Sequence, residues 1–351
     1  MNAPVVAKTK PFYKELKKGR SYLWCSCGQS KRQPFCDYSH VGTAFEPVTY
    51  VGQYDGEEVL FCGCKQTGTG PFCDGAHNNI LGGYRDDDPN SPENLLIPLV
   101  TEMDAARKML DGGCYVFSTT DADYQSEGNL RHTVVISEAQ GAQYQSQFYA
   151  ELESGLSPVM SFGDRHVVLL ISEGSGQVVI GGQSFDVNAT DGIYVRPGES
   201  FVIQSADAAL KTFISACPAA PEMMFTEQPS STFEADWPQR VISVDPEKRH
   251  SMAARFFQML VDKTIGSTVA TQFIGHIPFS KAEPHRHLYE ESLIVLTGKG
   301  CFWTDSLKTN VKAGDVIFLP RKVRHSFEAT DEHGMDVAGV IYPGDNPSIN
   351  Y

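Results

Sequence analysis

The sequence holds no uninterrupted apolar run approaching the roughly 18 residues that a membrane-crossing helix needs, so no transmembrane helix is expected. Its opening, MNAPVVAKTKPFYKELKKGR, has basic residues but no apolar stretch behind them. No secretory leader is therefore expected, and the cytoplasm is the expected location. Positive charge is scarce: 29 Lys and Arg face 43 Asp and Glu, a formal net charge of −14. A nucleic-acid-binding body needs a basic face for phosphate, so that partner class is not expected. The excess of acid reads most simply as solubility. Cysteine is sparse and odd in number: of nine, six fall in close clusters, with Cys114, Cys217 and Cys301 apart. That usage fits a reducing compartment and metal-binding thiolates better than a disulfide framework.

What is present is a metal-binding pattern written twice. Cys25-Ser26-Cys27, followed by Ser30, Pro34, Phe35, Cys36, Asp37 and His40, recurs at an offset of 37 as Cys62-Gly63-Cys64, Thr67, Pro71, Phe72, Cys73, Asp74 and His77. Two thiolates one residue apart can grip one metal atom, and the following Cys and His can complete a second. Pro34 and Pro71 restrict the loop, while Asp37 and Asp74 suit the amides of the turn that presents the ligands. SYLW before the first copy reads as a short strand, and FEPVTYVGQYDGEEVLF between the copies as two strands around Asp55-Gly56. Units this small cannot fold on apolar burial alone and need a metal.

With 351 residues, 41% hydrophobic and 21% charged, the chain is long enough for two or three globular domains. The run GGYRDDDPNSPEN after His77 reads as a linker. Residues 102–111 read as one short helix stopped by Gly112-Gly113, and 246–262 as a second helix. Elsewhere, from Cys114 onward, short apolar runs such as VVLLI, GQVVI and FVIQS alternate with Gly, Asp and Asn, the signature of an all-β barrel or sandwich. A Pro-containing break, ACPAAPEMMFTEQPSSTF, divides it. The strand pattern then returns at an offset of 124, which carries Gly174 to Gly298, Ala189 to Ala313, Asp191 to Asp315 and Ile193 to Ile317. Two related β domains are expected. The domain reading is 1–95, 96–225 and 226–351, in a mainly β protein.

The spacing C-x-C-x2-[ST]-x3-P-x-C-D-x2-H resembles the motif of the CDGSH iron-sulfur family over residues 22–77. The resemblance implies that each copy holds one 2Fe-2S cluster through three Cys and one His. The ligands would be Cys25, Cys27, Cys36 and His40, then Cys62, Cys64, Cys73 and His77. Tyr38 stands where the family has Gly, so the first loop must tolerate a side chain. A pair of zinc knuckles is the competing reading, though Cys-x-Cys and Cys-Asp-x-x-His spacings suit zinc fingers poorly. Imidazole in place of thiolate raises a cluster's reduction potential and makes it acid-labile, so redox work is the natural role.

The second constellation is His285, His287, Glu291 and His325. On a strand, His285 and His287 share a face, and Glu291 lies on it too. Imidazoles with one carboxylate and open positions suit Fe(II), Mn(II) or Ni(II). The pattern resembles the cupin motifs H-x-H-x3-E-x6-G and G-x5-P-x4-H. That resemblance implies a jelly-roll barrel in which these four side chains hold one mononuclear metal, most simply Fe(II), with Mn, Ni or Zn as alternatives. Lys322 replaces the usual glycine of the second motif. Tyr289 is the candidate catalytic side chain, as a pocket-lining residue. Subtracting 124 from the four ligand positions gives Ser161, Gly163, Val167 and Phe201, so the first barrel is expected to lack a metal and to serve as a scaffold, lid or partner surface. His166 is one residue off register.

The expected protein is thus a tandem CDGSH iron-sulfur domain followed by a degenerate and a metal-binding cupin. It would act as a non-haem iron oxygenase on a small molecule with dioxygen, its clusters relaying electrons from an external reductase or ferredoxin. The logic parallels Rieske oxygenases by analogy. The alternative is a redox or pH sensor, or a cluster-carrying binding protein, whose cupins bind a ligand or pair without catalysis. A cupin enzyme with merely regulatory clusters is a third reading. Cupin barrels often pair, so a homodimer is expected.

Overall fold

The computed structural model describes residues 3–205 and 208–351. Two short antiparallel pairs build the N-terminal module: Phe12–Leu16 with Glu57–Phe61, and Ser21–Trp24 with Val48–Val51. Leu16, Tyr22, Trp24 and Phe61 close on Phe35 and Phe72, one from each metal-binding loop. The rings of Phe35 and Phe72 sit 5.5 and 5.6 Å from that of Phe61. The two copies therefore share one small aromatic core, and neither is an independent unit.

Two barrels follow, each a larger and a smaller antiparallel sheet packed face to face. In the first, the seven-stranded sheet centred on His166–Glu173 and Leu210–Cys217 faces a five-stranded one that includes Ser175–Ile180 and Ser200–Ser205. In the second, an eight-stranded sheet through Glu290–Thr297 and Met335–Tyr342 faces a five-stranded one that includes Lys299–Thr304 and His325–Ala329. Each barrel has its own apolar interior, and the central strands of the large sheets, such as His166–Glu173 and Glu290–Thr297, are buried on both faces. A third cluster, with Tyr115, Phe117, Tyr149, Phe213, Ile294 and Phe318, lies between the two large sheets.

The offset of 124 holds element by element. Added to His166–Glu173 and Ser175–Ile180, it gives Glu290–Thr297 and Lys299–Thr304. Asp191 accepts from the Asn188 amide at 2.8 Å and Asp315 from the Lys312 amide at 3.0 Å, the same turn in the same register. Val167 and Phe201, which stand in for Glu291 and His325, are packed in the apolar core of the first barrel. His166 instead bonds through Nδ1 to the Tyr194 hydroxyl at 2.5 Å.

Neither expected helix forms. Within 102–111, Ala105 and Ala106 take positive φ, and Arg107–Met109 pairs with Tyr115–Ser118 as a strand. Within 246–262, a hairpin turn at Ala253, φ +54, joins His250–Met252 to Arg255–Val261, which continues into Thr271–Ile277. The aromatic and branched run RFFQMLV prefers the pleated surface that cross-strand partners offer, and tertiary pairing overrides local helix propensity. The expected linker is also structured. Asp86–Asp87 pairs with Ser280–Ala282, and Ser91 caps the short helix Pro92–Leu95.

Hydrogen bonding crosses the expected boundaries reciprocally. Tyr115–Ser118, inside the range 96–225, joins Asp315–Leu319 of the second barrel, while Val241–Ile242, inside 226–351, joins Gly192–Val195 of the first. Among the described residues, no helix is long and apolar enough to cross a membrane.

Candidate metal centres and the segment between them

In the N-terminal module the eight sulfur and imidazole donors come in pairs. Cys25 and Cys27 sulfurs lie 3.5 Å apart and Cys62 and Cys64 3.6 Å apart. Cys36 Sγ lies 3.2 Å from His40 Nδ1, and Cys73 Sγ 3.2 Å from His77 Nδ1. Two sulfurs at about 2.3 Å on one tetrahedral metal should be about 3.7 Å apart, so each pair fits one metal atom. Amides of Gln29, Tyr38, Lys65 and Gln66 point at sulfurs Cys27, Cys36, Cys62 and Cys64, as thiolate ligands require. Among the described residues, the trio with donor atoms all within 4.8 Å of one another is elsewhere, so each loop presents two two-donor grips rather than one four-donor cage. That arrangement suits a binuclear cluster better than a zinc knuckle.

The acidic residues do what their spacing implies. Asp37 accepts from the amides of Lys31 and Ser39 at 2.9 and 3.1 Å, and Asp74 from Gly68 and Ala76 at 2.8 and 3.0 Å. The copies differ in cover. Tyr38 holds φ +70 with its ring 68% exposed. Gly75, its counterpart, lies under Ser348. His77 is 1% exposed, and burial holds its proton affinity down to about 4.

In the second barrel His287, Glu291 and His325 bring donor atoms within 4.8 Å of one another. His285 lies outside that trio, yet its ring centroid is 4.6 Å from that of His325, and the two backbones exchange hydrogen bonds of 2.9 and 3.0 Å. His285 and His287 do not lie on a regular strand as expected; they occupy the approach to Glu290–Thr297, which carries Glu291. Each Nδ1 meets a backbone carbonyl two residues away: His285 on Glu283 at 3.1 Å, His287 on Tyr289 at 2.8 Å and His325 on Val323 at 2.9 Å. A carbonyl only accepts, so Nδ1 carries the proton and Nε2 keeps a lone pair, the tautomer a metal ligand needs.

His287 Nε2 is buried with no hydrogen-bond donor and faces Glu291 Oε2 at 3.0 Å. Burial first, and neighbouring imidazoles second, push His285 down to about 3 and His325 well below the usual range. A lone pair and a carboxylate oxygen at this distance suit a cation. The donor set therefore fits a metal.

Tyr289 stacks on His287, with ring centroids 4.1 Å apart, and donates its hydroxyl to the Pro347 carbonyl at 3.2 Å. Its role visible here is to hold a ligand ring and to fasten residues 343–351. Those residues touch both metal-binding regions. Asn350 and Pro347 line the cupin cavity, whose volume is about 100 Å³. On the other side, the Asn78 amide donates to Ser348 O at 2.6 Å, and His77 Nε2 lies 3.4 Å from Asn350 Oδ1. Because Nδ1 faces sulfur, Nε2 is the side of the His77 ring that donates to Asn350.

Two residues absent from the sequence reading, Asn350 and Lys65, belong to these sites, as does Lys322, read there only as a departure from the motif. Asn350 joins the two centres, and nothing local to its position announces it. Lys65, directly after the second Cys-x-Cys, is buried with Nζ 2.9 Å from Cys62 O and 4.6 Å from the Trp24 ring centre. Its charge is felt by both Cys25–Cys27 and Cys62–Cys64. Lys322 takes φ +66 where glycine is usual, and its amine pairs with Glu58 of the N-terminal module, as does Arg321 at 3.0 Å. The departure at Lys322 thus docks the module on the barrel.

The family described as "Iron-binding zinc finger CDGSH type" matches residues 3–41, and "Cupin domain" matches residues 277–338. A CDGSH-type module and a cupin barrel are thereby identified in one chain. Among curated proteins, the chain is similar to "CDGSH iron-sulfur domain-containing protein 3, mitochondrial" of Mus musculus, 48% identical over 52 residues, 14% of this chain and 38% of that protein. The Homo sapiens counterpart is 47% identical over 51 residues, 14% of this chain and 40% of that protein. The match thus spans about two fifths of these relatives. Among solved structures, YlbA from E. coli superposes with a TM-score of 0.53 at 14% identity, over 73% of this chain and 99% of that one. Lactobacillus farciminis oxalate decarboxylase, solved as a formate complex, gives 0.52 at 15%, over 66% and 86%. Bacillus subtilis oxalate decarboxylase, described for its Mn(II) centres, gives 0.51 at 15%, over 66% and 77%. At these identities the likeness is one of fold.

Proposed function

We propose that this chain is a redox metalloenzyme, a non-haem iron oxygenase acting on a small molecule at the second cupin, with two 2Fe-2S clusters that pass it electrons from an external donor. Iron at the cupin site would supply dioxygen activation, and the clusters one-electron transfer. The observation that carries the reading is Asn350, which lines the cupin cavity and accepts from the ring of His77. This chain's own residues provide the rest. His285, His287 and His325 are held as Nε2 donors by their carbonyls, and Glu291 supplies the anionic donor. The open edge of the first loop, around Tyr38 and His40, is where an external electron donor would approach.

The test is oxygen uptake by full-length protein purified without air, given a ferredoxin-type donor and candidate small molecules. The wild type should consume oxygen and His325→Ala should not, at equal cluster content. Equal uptake by both would refute the reading. The exposure of the first loop, with His40 Nε2 lying 3.8 Å from solvent-facing Glu46, also favours a second reading as a redox or pH sensor or cluster carrier. On that reading, cupin ligands can be lost without any change in oxygen consumption.

A further inference from the structure

Arg255 is a buried cation at the cupin cavity with two open donors. It opens the strand Arg255–Val261, is 7% exposed and lines the cavity that holds His285, His287, Glu291 and His325. Its Nε and Nη2 have no hydrogen-bond partner, and among the described residues no carboxylate lies within 4.0 Å of it as an ion pair. Tyr84 covers one face of the guanidinium, with its ring centre 5.5 Å away. Tyr84 also offers the group a side-chain hydrogen bond, and the charges of Tyr84 and Asp86 act on it, while Nε and Nη2 keep no partner within hydrogen-bond geometry.

A buried guanidinium with open N–H groups is costly unless something accepts from them. Nε–H and Nη2–H form one edge of the planar guanidinium, the fork that matches the two oxygens of a carboxylate. The cavity measures about 100 Å³ and its other walls are mostly apolar, with Phe256, Phe257, Phe273 and Phe327 beside the polar His276 and Asn350. At ~30 Å³ per water it has room for a molecule of about two to four carbons, not for a drug-sized ligand.

We infer that the cavity's ligand is a small carboxylic acid bound as its anion, its carboxylate gripped edge-on by Arg255 beside the metal-binding side chains. This rests on the proposed cupin site and names the substrate class it takes. Arg255 selects the anion and fixes which end of it faces the imidazoles. The phenyl walls admit a short aliphatic remainder.

Calorimetric titration of the full-length protein with acetate, pyruvate and, as the neutral control, acetamide tests this. Wild type, Arg255→Gln and Arg255→Lys are compared as purified and again after chelation, so that metal content does not enter. The carboxylates should bind the wild type, weaken by about tenfold or more in Arg255→Gln and fall between in Arg255→Lys, which keeps the charge without the fork; acetamide should bind weakly throughout. Thermal melting shows which variants are folded, and Arg255→Lys carries the comparison if Arg255→Gln is not. Carboxylate affinity that ignores both substitutions, or acetamide binding as tightly as acetate, overturns the inference. Failure of the oxygenase reading is separable: oxygen uptake would be absent while Arg255-dependent carboxylate binding persists.

Discussion

Replacing Gly75 by alanine probes how the second metal-binding loop is covered. Gly75 holds φ +90, and a Cβ there would stand 1.9 Å from Ser348 Oγ and 3.1 Å from Ser348 Cβ. Left-handed backbone costs a residue with a side chain about 1–2 kcal/mol. The clash is relieved only by moving Ser348. That movement breaks the 2.6 Å bond from Asn78 to Ser348 O and loosens the 3.3 Å bond from Asn346 to Asp74 O, each worth about 1 kcal/mol. The sum, roughly 3–4 kcal/mol, is enough to swing residues 346–350 off the module without unfolding the barrels. His77 then opens to water. In a stopped-flow drop to acid pH, the wild type should bleach in two phases, the slow one belonging to the covered second cluster. Gly75→Ala should speed the slow phase toward the fast one, and adding Ser348→Gly should restore much of the difference. Tyr38→Gly, at the matching position of the exposed first copy, should leave both phases nearly unchanged. Unaltered phases in Gly75→Ala, or an equal response to Tyr38→Gly, would refute the reasoning.

Lys65→Met removes a buried positive charge beside both Cys-x-Cys pairs, so both cluster potentials should fall in a redox titration; a change in one alone would contradict the shared placement. Asp87→Ala leaves the Lys281 amine, held at 2.5 Å and 2% exposed, without its partner, and should cost about 3 kcal/mol or more in denaturant unfolding. His132 and His166 both have proton affinities lowered by burial from the ordinary value of 6.5. A histidine of this kind binds fewer protons folded than unfolded, so its stabilising contribution is full above 6.5 and is lost as pH falls toward the lowered folded value. The chain should therefore unfold more readily at pH 5.5 than at pH 7.5, and the slope should flatten in a His132→Gln/His166→Gln double variant.

The candidate metal donors were legible as groups because their spacing is local. A Cys-x-Cys or His-x-His places donors within one loop whatever surrounds it, and the Asp37 and Asp74 turns follow from spacing alone. The second repeat was readable for a related reason: Asp191 and Asp315 each tie the same turn, so the offset of 124 survives where most side chains have changed. The two expected helices failed because composition competes with pairing partners far along the chain, and the long edge offered by Thr271–Ile277 decides the outcome for Arg255–Val261. The reciprocal exchange of Tyr115–Ser118 and Val241–Ile242 between barrels leaves no local mark, since either strand would satisfy either sheet. Asn350, Lys322 and Arg255 gain their roles from neighbours roughly 30 to 270 residues away in sequence, which no pattern within a window can show.

The central claim is that electrons held in the N-terminal module reach the cupin site. Full-length protein, reduced without air and loaded with iron, is mixed with oxygenated buffer and an Arg255-dependent carboxylate while cluster absorbance is followed in a stopped-flow instrument. The account predicts reoxidation of the clusters at least tenfold faster in the wild type than in His325→Ala, with an intermediate rate in Asn350→Leu. Equal reoxidation rates in all three proteins would contradict it.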